Sequence, residues 1–96
     1  MPHYFLKLNP SRPTFAQDMT DEERGIMQQH VGYWAELMNK GMVIVFGPVF
    51  DPAGAYGMGV VEVENEGQLQ ELTGNDPAAK INKYEYWPMR AVTPGK

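Results

Sequence analysis

The chain has 96 residues, 43% of them apolar, 11% aromatic and 21% charged, the profile of a single compact globular domain and not of a disordered segment. Its net charge is −4 and its eight basic residues are thinly spread, so no cluster neutralises several adjacent phosphates and nucleic acid is not an expected partner. There is no cysteine for a disulfide or thiolate, and no stretch approaches the ~20 apolar residues of a membrane span, so a cytoplasmic protein with no membrane partner is expected.

Residues 3 to 8 alternate, with Tyr4, Leu6 and Leu8 on one side and His3, Phe5 and Lys7 on the other, the period of a strand. His3 reads as an ordinary polar strand residue. Asn9-Pro10 stops the strand, and residues 9 to 19, with Pro10 and Pro13, read as a loop. A loop of ~12 residues without regular structure is often a lid or binding loop. This one is a candidate pocket wall.

Thr20-Asp21-Glu22-Glu23 has the form of a capping box, with acidic residues at the positive end of the helix dipole. The helix is expected over Thr20 to Lys40, with Ile26, Met27, Val31, Trp34, Leu37 and Met38 recurring at helical spacing and Gly41 ending it. His30 lies one turn from Ile26, Met27, Tyr33 and Trp34, on the core side. Asp18, Asp21, Glu22 and Glu23 read as a solvated helix start and not a metal cluster.

Met42 to Phe46 is a continuous apolar, β-branched run, the sign of a strand covered on both faces, and Gly47-Pro48 ends its regular part. Asp51-Pro52-Ala53-Gly54 is a turn, so Tyr56 to Val63 returns as the third strand of a hairpin. Gly57 and Gly59 share one face of it and permit close approach there. A second helix is suggested by Leu69 and Leu72 between a cap at Asn65 and a stop at Gly74. Asn75-Asp76-Pro77 is a fresh helix start with Asp76 capping and Pro77 first. The last strand is Lys83 to Val92, with Pro88 marking an edge or bulge, and residues 93–96 are expected to fray.

The order β-α-β-β-α-β defines an α+β, ferredoxin-like fold: a four-stranded antiparallel sheet with both helices on one face. Its other face would be bare. With Phe5, strand-two residues, Trp87 and Met89 available to lie on it, a homodimer closing sheet against sheet is the expected remedy.

Imidazole chemistry falls to His30, which is either a hydrogen-bonded core residue or a base. Asp76 sits in a turn that could reach it; capping alone also explains an Asp there, and one carboxylate has lone pairs for both roles. A carboxylate on one ring nitrogen would fix the tautomer and leave the other nitrogen as a base. No hydrolase elbow, phosphate loop or metal-ligand spacing is present. The seven methionines are adaptable packing and not a cofactor box, and no cofactor is expected.

The opening strand, the Arg24 to His30 spacing followed by Tyr33, the Gly41 stop, Val45-Phe46-Gly47-Pro48, the Asp51 to Gly54 turn and Asn75-Asp76-Pro77 together resemble the YciI-like (YCII-related domain) family of small dimeric α/β-barrel proteins. Two departures are the longer loop from Asn9 to Met19 and Ala78-Ala79, where many relatives carry a bulkier residue. The resemblance implies a ferredoxin-like fold, a dimer and a His-Asp site carried by His30 and Asp76. Arg24, Trp34, Gly47 and Pro48 are weaker substrate-binding candidates, and Arg24 either holds an anionic substrate or pairs on the helix surface. The expected function is acid/base chemistry, an elimination, isomerisation or hydrolysis, on a small organic molecule. Two other readings stay open: a non-catalytic ligand-binding or accessory protein whose dimer pocket holds an apolar or aromatic compound between Phe5, Trp34, Tyr84 and Trp87, and a structural dimerisation module with a buried, satisfied histidine.

Overall fold

Four seven-residue strands, β1 (His3–Asn9), β2 (Val43–Val49), β3 (Tyr56–Glu62) and β4 (Lys83–Met89), form one antiparallel sheet in the order β2-β3-β1-β4. The computed structural model describes residues 1–94, so Gly95 and Lys96 of the tail expected to fray lie outside the described residues. Helices α1 (Phe15–Asp18), α2 (Asp21–Asn39) and α3 (Glu66–Gly74) and a 3₁₀ turn (Pro77–Lys80) complete a ferredoxin-like α+β fold. Among the described residues no helix is long and apolar enough to cross a membrane.

The long helix starts where its chemistry dictates. The Thr20 side chain accepts from the Glu23 amide, and the Glu23 carboxylate accepts from the Thr20 amide at 2.9 Å. Gly41, at φ +82°, turns the chain out of the helix in a conformation that a side chain disfavours. The apolar stripe is narrower than its spacing suggests: Trp34 and Leu37 are buried, whereas Val31 is 53% and Met38 38% exposed. The arc shielded from solvent there runs through His30, Tyr33, Trp34 and Leu37.

The core lies between the helices and one sheet face, built from Leu6, Val43, Val61 and Val63 against Trp34, Leu37, Leu69 and Leu72. Fully buried Leu69 and Leu6 contribute roughly 1.5–3 kcal/mol each by leaving water. Asn65 caps α3 by accepting from the Gln68 amide, and the Tyr33 hydroxyl ties α2 to α3 by donating to the Leu72 carbonyl at 2.6 Å.

Strand two differs from its expected form. β2 runs through Gly47-Pro48 to Val49, because it is an edge strand and a proline there need not break a ladder. Nor is it covered on both faces: Val45 is 46% exposed, and the pairing register with β3 shifts between Val43 and Val45. β4 forms the other edge and ends at Met89, short of Val92. The segment 9–19 is not wholly irregular, since Phe15 is buried on the single turn of α1.

Candidate functional site

His30 sits midway along α2, its side chain 12% exposed and one turn from Trp34. Asp76 comes from the far side of the chain. Its backbone is extended, with φ −70° and ψ 127°, and its carboxylate caps the 3₁₀ turn by accepting from the Ala78 amide at 2.9 Å. Pro77 presets that turn. The same carboxylate meets His30 Nδ1, with Oδ2 at 2.7 Å and Oδ1 at 3.0 Å.

Two further groups converge on Asp76. Trp34 Nε1 donates to Oδ2 at 2.9 Å, and the Tyr84 hydroxyl donates to the same oxygen. Trp34 Nε1 also lies 3.0 Å from the Tyr84 oxygen, which closes the network. Asp76 is therefore a buried carboxylate, 2% exposed, surrounded by donors. Burial pushes its carboxyl up, but the hydrogen bonds from His30, Tyr84 and the Ala78 amide, with the charge of His30, outweigh that and hold it below its ordinary value of 3.8. Burial and the adjacent carboxylate push the Tyr84 hydroxyl far above its ordinary 10, so it stays a donor.

This environment assigns the imidazole proton. An ionised carboxylate only accepts, so Nδ1 of His30 carries hydrogen and donates to Asp76. In the neutral ring Nε2 is then unprotonated, and it has no hydrogen-bond partner among the described residues.

His30 borders a half-open cavity of about 240 Å³ whose wall is mainly apolar. Leu6, Leu8, Trp34 and Phe46 form part of its core side, and Pro10, Phe15, Ala16 and Met19 close it from the segment 9–19. That segment is strapped to α2 by Arg12. Its guanidinium donates to Asp18 at 2.8 Å and to Glu23 at 2.9 and 3.0 Å. Hydrogen bonds from Arg12 and the Thr20 amide hold the Glu23 carboxyl at about 2.

Of the sequence candidates, His30, Trp34, Gly47 and Pro48 border the cavity, with Asp76 directly behind His30. Arg24 does not join them: it is exposed and pairs with Asp21 at 3.0 Å on the helix surface. Phe5 and Trp87 pair with each other, 5.8 Å between ring centres. Leu6 and Tyr84, their strand neighbours, border the cavity and so place them on the opposite sheet face. Within one chain, therefore, Phe5 and Trp87 do not share a pocket with Trp34 and Tyr84. The Tyr84 hydroxyl, Asn82 and the Arg12 strap went unread as site features. Tyr84 was findable as a residue on the helix-facing side of the last strand, where a buried carboxylate needs donors. Among the described residues no three His, Cys, Asp or Glu side chains gather as metal ligands.

Fold and site together define a small α+β protein that grips an imidazole with a buried carboxylate at the edge of an apolar cavity. The chain belongs to the YCII-related domain family, whose model matches residues 4–92. A solved structure of similar fold is 5-chloro-2-hydroxyhydroquinone dehydrochlorinase (TftG) from Burkholderia phenoliruptrix AC1100, in complex with 2,5-dihydroxybenzoquinone. It is 22% identical, with a TM-score of 0.58, over 88% of this chain and 92% of that chain. No curated protein matches the chain.

Proposed function

We propose that the chain is a small acid/base enzyme in which His30 Nε2 is the proton-transfer group and Asp76 its positioning partner. The observation that carries this reading is the donor-saturated carboxylate: it commits Nδ1 and leaves Nε2 as the ring nitrogen available at the cavity. When Nε2 takes a proton, the Asp76 carboxylate stabilises the imidazolium, as in other carboxylate-histidine pairs.

The cavity indicates the substrate's size and polarity. At about 240 Å³ it is smaller than the ~300–1,000 Å³ of drug-sized sites, which suits one ring and its substituents. None of its lining residues is Lys, Arg, Asp or Glu, so an uncharged compound fits best. Among the possible steps we put elimination first, with the printed name of the dehydrochlorinase of similar fold as its support. In such a step Nε2 removes a proton from an acidic O–H or C–H of the ligand. The pair from that bond enters a new π bond, a leaving group departs with its own pair, and the imidazolium returns the proton to that group or to solvent.

A non-catalytic ligand-binding role is the second reading, favoured by the apolar wall. One experiment separates the two. Small halogenated and hydroxylated rings are screened by thermal shift against the wild type and His30→Ala, and each hit is then assayed for conversion. The enzyme reading expects hits that are converted by the wild type, with turnover falling about 10²–10⁴-fold in His30→Gln while melting stays within a few degrees. Hits bound equally by wild type and His30→Ala, with none converted, would overturn it.

A further inference from the structure

Gly57 and Gly59 stand two residues apart on β3, opposite Leu8 and Leu6 of β1, and so share the sheet face that meets the helices. Neither is glycine for the sake of its backbone: among the described residues Gly41 and Gly54 are the two with the positive φ that side chains disfavour. A glycine inside a strand weakens it, so each of the pair calls for a steric reason. At Gly59 the reason lies within the chain, because the indole of Trp34 fills the space that a side chain would take.

At Gly57 no group of α2 or of the segment 9–19 does the same. A Cβ there would meet only the Leu8 side chain, its Cβ at 3.3 Å and its Cδ2 at 3.7 Å. Pro48 on β2, Gly57, Leu8 and Tyr84 on β4 form one row across this face of the sheet, and all four border the cavity. The row is thus a floor on which bare backbone lies between the side chains of Pro48 and Leu8. The space left empty at position 57 belongs to the cavity.

From this we infer that Gly57 is a specificity-determining residue: the apolar part of an uncharged ligand rests on its bare backbone, and the missing side chain sets how deep into the cavity that part can reach. Gly59 admits a ring of the protein and Gly57 admits the ligand. The inference rests on the cavity being the ligand site of the proposed function, and not on His30 acting as a base.

The test uses phenol, 4-methylphenol, 4-ethylphenol and 4-propylphenol, which are uncharged at neutral pH and differ only in apolar length. Each is titrated by calorimetry into the wild type, Gly57→Ala and Gly57→Val. In the wild type each added carbon that still finds room should tighten binding about fourfold. The gain should stop at a shorter probe in Gly57→Ala and at a shorter one still in Gly57→Val, where the tightest binder of the wild type weakens about tenfold or more while phenol changes about twofold at most. In the wild type, nuclear Overhauser effects should connect the probe to the α-protons of Gly57. Gly57→Ala should melt within a few degrees of the wild type, and a glycine kept only for its packing on Leu8 would give the opposite, a lower melting temperature with the length preference intact.

A wild type that binds none of the four probes, gains nothing from added carbons or shows no contact between probe and Gly57 overturns the inference even if neither variant folds. So does a length preference that survives in Gly57→Val, or a weakening equal for all four probes. Failure of the catalytic reading has a different signature: the Gly57-dependent length preference persists in the wild type and in His30→Gln, yet no ring with a leaving group is converted.

Discussion

Gly59 lies against the indole of Trp34 so closely that a Cβ at position 59 would sit 2.4 Å from Cζ3 and 2.6 Å from Cη2. The contact explains why β3 tolerates a glycine in the middle of a sheet, where the residue ordinarily weakens a strand. The large ring of Trp34 occupies the volume that a side chain would need. It is thereby held with Nε1 on Asp76, 2% exposed, and its ring centre 5.7 Å from that of Phe46.

Gly59→Ala is therefore expected to act on stability and on the site together. The methyl group must displace a buried indole that is fixed by two hydrogen bonds, an overpacking cost of about 1–3 kcal/mol. For a chain of this size that lowers the melting temperature by roughly 4–8 °C per kcal/mol. Because the moved Trp34 releases one donor from Asp76, conversion of any substrate should fall more steeply than stability alone requires. Gly57→Ala is the control, since its Cβ would meet only the Leu8 side chain at 3.3 Å. Urea unfolding of both variants decides the matter, and an equal effect at the two positions would disprove the packing argument.

The buried carboxylate also predicts how stability depends on acid. Burial pushes the Asp76 carboxyl up, the hydrogen bonds from His30, Tyr84 and Ala78 bring it below its ordinary 3.8, and the unfolded chain restores that ordinary value. A group depressed on folding contributes stability that is fully present above the unfolded pKa and lost as pH falls through the folded one. Unfolding free energy should therefore be nearly flat above about pH 5 and decline below pH 4. Asp18 and Glu23 are depressed as well, by hydrogen bonds from Thr14 and Arg12; Asp18 is exposed and screened by salt, whereas Glu23 is part-buried against Arg12. The part of the decline that persists in high salt and responds to Tyr84 belongs to Asp76. Tyr84→Phe removes a donor to Asp76 and leaves its folded pKa less depressed, so the decline should be shallower and end at higher pH. Stability that rises on acidification, or an unchanged profile in Tyr84→Phe, would contradict this assignment.

What could be read in the chain and what could not divide along sequence distance. The capping box at Thr20 to Glu23, the left-handed Gly41 and the Asn65 and Asp76 caps depend on residues within one turn, and their spacing displays them directly. The four-stranded antiparallel sheet followed from the alternation of elements. Beyond His30, the partners of Asp76 could not be read in this way: Trp34 and Tyr84 reach it from separate elements, and only the packing of α2 against the last strand brings them together. Arg12 bridging Asp18 and Glu23 is similarly invisible without the path of the segment 9–19. Val31 and Met38 show the limit of periodicity, which gives the centre of a helix's apolar face more reliably than its width. Continuous apolar character in β2 likewise marked two apolar faces, and did not show that both were covered.

That uncovered face carries the last prediction. On the side of the sheet away from the helices, Val45 is 46%, Trp87 45% and Met89 39% exposed, and Phe5 packs against Trp87. Apolar side chains gathered on one sheet face are the usual mark of an interface, and self-association through a two-fold axis is the commonest way to cover one. We expect a homodimer joined sheet to sheet, with about 800 Å² buried on each copy as in stable complexes of standard size. Sedimentation equilibrium of the wild type should return twice the monomer mass. Val45→Lys combined with Trp87→Lys places charges on both copies of the face, and like charges brought together out of water cost several kcal/mol. That variant should sediment as a monomer while its far-ultraviolet circular dichroism is unchanged, because neither side chain belongs to the Leu6-Trp34-Leu69 core. A wild type that stays monomeric throughout the concentration range, or a double variant that still dimerises, would show that this face is not the interface.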